Sequence, residues 1–128
     1  MKTITYKVSL IDLAPTICEL AGVEPSPSWK GQSLFKPKNI IYHQTAWRKK
    51  DKSFTSITAL NQCKIACQTD NWKYIKDYGK NKEELYDLKN DPEEQINLVE
   101  KETNILSNMR EAIKKFEREN PPLSLIEV

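Results

Sequence analysis

Apolar residues in this chain recur with two different periods. Between Leu10 and Ala21 the period is helical: Leu13, Ile17, Leu20 and Ala21 share one face, and Leu10 and Ile11 extend it. Gly22 stands where a left-handed residue closes such a helix. Pro15 fits only in the first turn, where its missing N–H costs no bond, so Asp12 rather than Ser9 is the expected cap of the regular part. Alternation with period two marks a short strand in 1–8, through Ile4, Tyr6 and Val8; Asn39–Thr45, with its Ile40-Ile41-Tyr42 run, and Cys63–Thr69, Trp72–Tyr78 and Leu85–Leu88 also read as strands. Asp70-Asn71 tolerates positive φ and predicts a tight hairpin; Gly79–Glu83 is the next turn. From Lys101 to Glu119, Ile105, Leu106, Met109, Ala112, Ile113 and Phe116 form one helical stripe, which Asn120-Pro121-Pro122 stops.

Between these elements the pattern weakens. Pro25, Pro27 and Pro37 make 23–38 a loop, with Trp29 expected to anchor it on the core. Residues 46–53 are polar and charged, 54–60 carry only a faint strand pattern, and 123–128 form a short apolar tail. Asp91, Pro92 and Glu94 fit the cap, first position and N3 of a capping box, which predicts a helical turn over about 92–99. The expected fold is therefore α+β. A roughly four-stranded antiparallel sheet in meander order carries the long C-terminal helix, with the N-terminal helix alongside. That first helix is apolar over much of its circumference. It reads as built to be buried on both sides, and its uncovered face is a predicted site of self-association or partner contact.

Composition narrows the function. The 128 residues suit one modest core. Charge is abundant, 30% of residues, but nets only +2, which argues against a dedicated polyanion binder. No apolar run reaches the roughly 20 residues of a membrane span. Met1–Tyr6 lacks the apolar core of a signal peptide, so no export signal is expected in this chain, and its compartment is left open. Three cysteines are too few for a disulfide framework. Cys18 reads as a small core residue. Cys63 and Cys67, four apart in a strand, would be about 13 Å apart, too far for a disulfide. With His43 as the one histidine and no C-x-x-C, a zinc site is not expected.

Three blocks of words carry a resemblance. Val8-Ser9-Leu10-Ile11-Asp12-Leu13-Ala14-Pro15-Thr16 through Leu20-Ala21-Gly22, followed by Gly31-Gln32-Ser33-Leu34, is similar to the V-S-x-x-D-L-x-P-T-x-x-x-L-A-G and G-x-S-L of the sulfatase family, within the alkaline phosphatase superfamily. Lys73-Tyr74-Ile75 resembles that family's K-Y-I strand. Glu84-Leu85-Tyr86-Asp87-Leu88, Asp91-Pro92, Glu94 and Asn97-Leu98 resemble its E-L-Y-D-L-x-x-D-P-x-E-x-x-N-L block. The order and spacing match over residues 8–118. The resemblance implies a division into 1–38, the end of a catalytic domain, and 39–128, a C-terminal subdomain. It implies a parent that hydrolyses sulfate esters with a formylglycine and a divalent cation, usually calcium, and that is often exported.

None of that chemistry is expected in this chain. The family makes its formylglycine in C/S-x-P-S-R, but Cys18, Cys63 and Cys67 are followed by Glu19-Leu20-Ala21, Lys64-Ile65-Ala66 and Gln68-Thr69-Asp70. Sulfate-ester hydrolysis needs an activated nucleophile and a cation for the anionic transition state. The chain reads as a C-terminal piece with no cofactor of its own, partnered by the catalytic part of a sulfatase or by itself through the Leu10–Ala21 helix. His43, Trp47, Arg48 and Lys49 are the candidates for a substrate rim, where cations would attract a sulfated substrate. Asp87, Asp91, Glu93 and Glu94 are read as turn and capping residues rather than a cation site. Two alternatives stand beside this. One is a phosphatase or phosphonate hydrolase of the same superfamily. The other is a small binding module using Trp47-Arg48-Lys49-Lys50, against which the near-neutral charge weighs; neither nucleic acid nor membrane is the expected partner.

Overall fold

The computed structural model describes residues 6–46 and 63–120. The chain divides into two compact units, Met1–Ile41 and Tyr42–Val128. In the first, a 3-10 turn at Leu10–Asp12 runs into α1 (Leu13–Ala21). Pro15 falls in the first turn of α1, as its missing N–H requires. Gly22 adopts φ 67°, and the chain leaves by paired reverse bonds: Val23 N–H to the Cys18 carbonyl at 2.9 Å and Gly22 N–H to that of Glu19 at 3.2 Å.

Burial in this unit is inverted. Its buried positions include Asp12, Pro15, Thr16 and Ser33, whereas Leu10 is 84% exposed, Ile17 65% and Leu20 72%. Trp29 does not anchor its loop, being 46% exposed. Cys18 is a free thiol of intermediate burial. Of the strand expected over 1–8, residues 6–8 are irregular and the rest lies outside the described residues.

The second unit is a sheet of β1 (Ile41–Ala46), β2 (Cys63–Gln68), β3 (Trp72–Asp77) and β4 (Lys82–Asp87), ordered β1-β2-β3-β4. The β2–β3 and β3–β4 pairs are antiparallel, in a register that aligns Cys67, Tyr74 and Leu85 in one row. All three are fully buried. The helix α2 (Thr103–Glu119) lies on β2 and β3 and adds Leu106, Met109 and Ile113 to the core. The Cys67 thiol donates to the Met109 carbonyl at 3.6 Å, and burial pushes that thiol up to about 12. Tyr42 of β1 stacks on Phe116 at 4.3 Å and 19°, and its hydroxyl donates to the Ala112 carbonyl at 3.4 Å.

Several local expectations change. The Thr69–Trp72 hairpin closes with Thr69 N–H on the Trp72 carbonyl at 2.8 Å, but positive φ is found at Asn81, in the β3–β4 turn, and not at Asp70 or Asn71. The strand β4 begins at Lys82 rather than Leu85. No helical turn forms over 92–99. Glu94 has φ 56°, which a helical N3 residue cannot adopt. The Asp91 carboxylate reaches past N3 to the Ile96 N–H at 2.8 Å, and Lys73 holds Glu94 aside at 2.7 and 2.8 Å. The 47–53 loop, the 54–60 segment and the 123–128 tail lie outside the described residues.

Candidate functional site

The residues of the recognisable words are engaged in holding backbone together. Asp12 was the expected helix cap, yet its side chain makes no cap bond to α1. One carboxylate oxygen instead takes the Gln32 N–H at 3.0 Å and the Lys38 ammonium at 2.5 Å. The other takes the Ser9 N–H at 3.1 Å. Burial raises the Asp12 carboxyl, but Lys38 and the two amides outweigh it and hold the group below its usual range. One turn on, Thr16 donates its hydroxyl to the Asp12 carbonyl at 2.6 Å and accepts the Leu34 N–H at 2.7 Å. Gly31 must be glycine here: a Cβ would lie 1.9 Å from the Ile11 carbonyl oxygen. Asp12, Thr16 and Gly31 thus sew the 31–38 segment to the start of α1.

The second block is sewn in the same way. Leu98 N–H donates to the Leu85 carbonyl at 2.8 Å, while the Asn97 side-chain oxygen accepts the Leu85 N–H at 3.0 Å and the Val99 N–H at 3.1 Å. Its amide donates back to the Glu83 carbonyl at 3.3 Å. Asn97-Leu98 therefore stands in for a fifth strand and closes the edge of β4. Asp87 organises the exit turn, accepting the N–H of Lys89 at 3.0 Å and the Asn90 side chain at 2.7 Å. The Asn90 side chain, then the turn amides, keep its carboxyl low against the pull of burial.

A third cluster ties the sheet to α2. Tyr74 donates its hydroxyl to Glu83 at 2.5 Å, and Glu83 takes a two-pronged grip from Arg110, with Nε at 3.0 Å. Arg110 first, then Tyr74, lowers the Glu83 carboxyl against burial. Burial, then Glu83, raises the Tyr74 phenol. Tyr78 repeats the motif with Glu117 beneath Lys76. On the other face, Lys64 pairs with Asp77 at 3.2 Å. Sequence reasoning missed the Tyr74–Glu83–Arg110 link, whose one signal is the alternation that puts Glu83 on the same face as Leu85. It also missed Lys38, for which no local signal exists.

Of the candidate rim, His43 is exposed on β1. Because Tyr42 faces α2, His43 lies on the opposite side of the sheet. Trp47, Arg48 and Lys49 lie outside the described residues. Among the described residues, no three His, Cys, Asp or Glu side chains converge as metal ligands. No helix among them is long and apolar enough to cross a membrane.

Comparison with known proteins agrees with this scaffold. Residues 2–119 match the family described as N-sulphoglucosamine sulphohydrolase, C-terminal. A search of curated proteins gave no match. Among solved structures, a 2-O GAG sulfatase is 27% identical at TM-score 0.67, over 84% of this chain and 24% of its own. A protein solved with its substrate D-glucosamine-2-N,6-O-disulfate is 21% identical at TM-score 0.67, over 89% and 25%. A phosphonate monoester hydrolase of Agrobacterium radiobacter is 18% identical at TM-score 0.70, over 84% and 24%. The chain spans about a quarter of the length of the solved structures it matches. The extent of the family match and the three sewn blocks lead to one assignment: this chain belongs to the C-terminal domain family of the sulfatases, within the alkaline phosphatase superfamily.

Proposed function

We propose that this chain is the non-catalytic C-terminal part of a sulfatase-like sulfuric ester hydrolase, bordering the substrate cleft and docking on a catalytic part through its first helix. The observation that carries this is the inverted burial of the first unit. Leu10, Ile11, Leu13, Ile17 and Leu20 face outward, while Asp12 and Thr16 occupy the interior. A helix so built needs an apolar cover from elsewhere, and the matched structures have three-quarters of their length beyond the matched region. Residues 1–38 complete the catalytic domain, and 39–128 form the subdomain.

The reactive groups belong to the catalytic part. No cysteine or serine here has the Pro and Arg of C/S-x-P-S-R, and the carboxylates of Asp12, Asp77, Glu83, Asp87, Asp91 and Glu94 are each held by protein donors. These residues do not fit a cation site or a formylglycine. In the parent, the formylglycine supplies the nucleophile, and the divalent cation, usually calcium, stabilises anionic charge. His43, Trp47, Arg48 and Lys49 form the rim, with Arg48 and Lys49 drawing in a sulfated substrate. A phosphonate hydrolase parent is the second reading, favoured by the TM-score of 0.70. At 18% identity that likeness concerns the fold alone, and the sulfatase reading is preferred.

The chain alone is expected to turn over neither an aryl sulfate nor an aryl phosphonate monoester in the presence of calcium. Turnover of either would overturn the non-catalytic reading. Joined in frame to the catalytic part, the double substitution Arg48→Ala, Lys49→Ala is expected to raise KM for a sulfated substrate several-fold with kcat unchanged. An unchanged KM removes both residues from the rim.

A further inference from the structure

No further inference is drawn: the strongest candidate, the uncovered apolar face of α1 with Trp29 and Phe35 exposed in the loop that follows it, belongs to the partner contact already proposed, and nothing in the structure shows another occupant.

Discussion

Asp12 shows how one side chain replaces a hydrophobic core. It gathers the chain at Ser9, Gln32 and Lys38, and hydrogen bonds to a charged group are worth roughly 1.5–3 kcal/mol each. Asp12→Asn keeps the shape but removes the charge. It is expected to weaken local structure by about 2 kcal/mol, or roughly 30-fold faster hydrogen exchange at the Gln32 amide, with the β3 and β4 amides unchanged. Equal loss of protection in β3 would show that the cluster supports the whole chain instead. Glu83 plays the corresponding part in the second unit, and its effect is legible in pH. Its carboxyl is lowered by Arg110 from an ordinary 4.5, so its contribution is fully present above that value and is lost as pH falls through the lower folded value. Glu83→Gln is expected to cost about 1–2 kcal/mol near neutrality. The gap between wild type and variant should shrink as pH falls below 4.5, read as urea midpoints at about pH 7 and through a descending acid series. A constant gap would mean that packing, not charge, sets the difference.

At the scale of elements, period and punctuation carried the sequence reading far. The strand patterns of β2 and β3, the stripe on α2 and the Pro15 and Gly22 signals of α1 each depend on neighbours within a few residues, and each matches the structure. The readings that failed turn on side-chain partners outside the local helical pattern. Asp12 holds the N-cap position of α1 but makes no side-chain cap bond there, because Gln32 and Lys38 compete for its carboxylate. Asp91 and Glu94 form no helical box because Ile96 and Lys73 take them instead. Trp29 is exposed because the interior it would have joined is polar. Of the candidate rim, His43 falls on β1, a strand that the Ile40-Ile41-Tyr42 run announces. Asn97 tests the edge-closing role directly. Asn97→Ala removes the acceptor of the fully buried Leu85's N–H and is expected to cost about 1–3 kcal/mol, read as a lower urea midpoint with unchanged slope. Asn97→Asp keeps the acceptor and should lose less. Equal losses would point to the donor bond on the Glu83 carbonyl.

At the scale of the whole molecule, the two units differ in what holds them. The second has a row of fully buried side chains under α2. The first presents Leu10, Ile11, Leu13, Ile17 and Leu20 to solvent. Covering each such side chain is worth roughly 1.5–3 kcal/mol, while bringing two separate molecules together costs on the order of 4–15 kcal/mol. The cost offsets much of that gain for a pair of free chains, and their association should depend on concentration. On the proposed reading, a catalytic part joined in the same polypeptide would meet the face at an effective concentration in the millimolar range and would outcompete a second copy. The isolated chain is thus expected to show a mass that rises with concentration in light scattering. Ile17→Lys with Leu20→Lys should return it to a single chain without moving the thermal transition of the second unit. A wild-type chain that stays monomeric at the highest concentration would mean that this face does not seek cover, and the docking role given to α1 would fall with it.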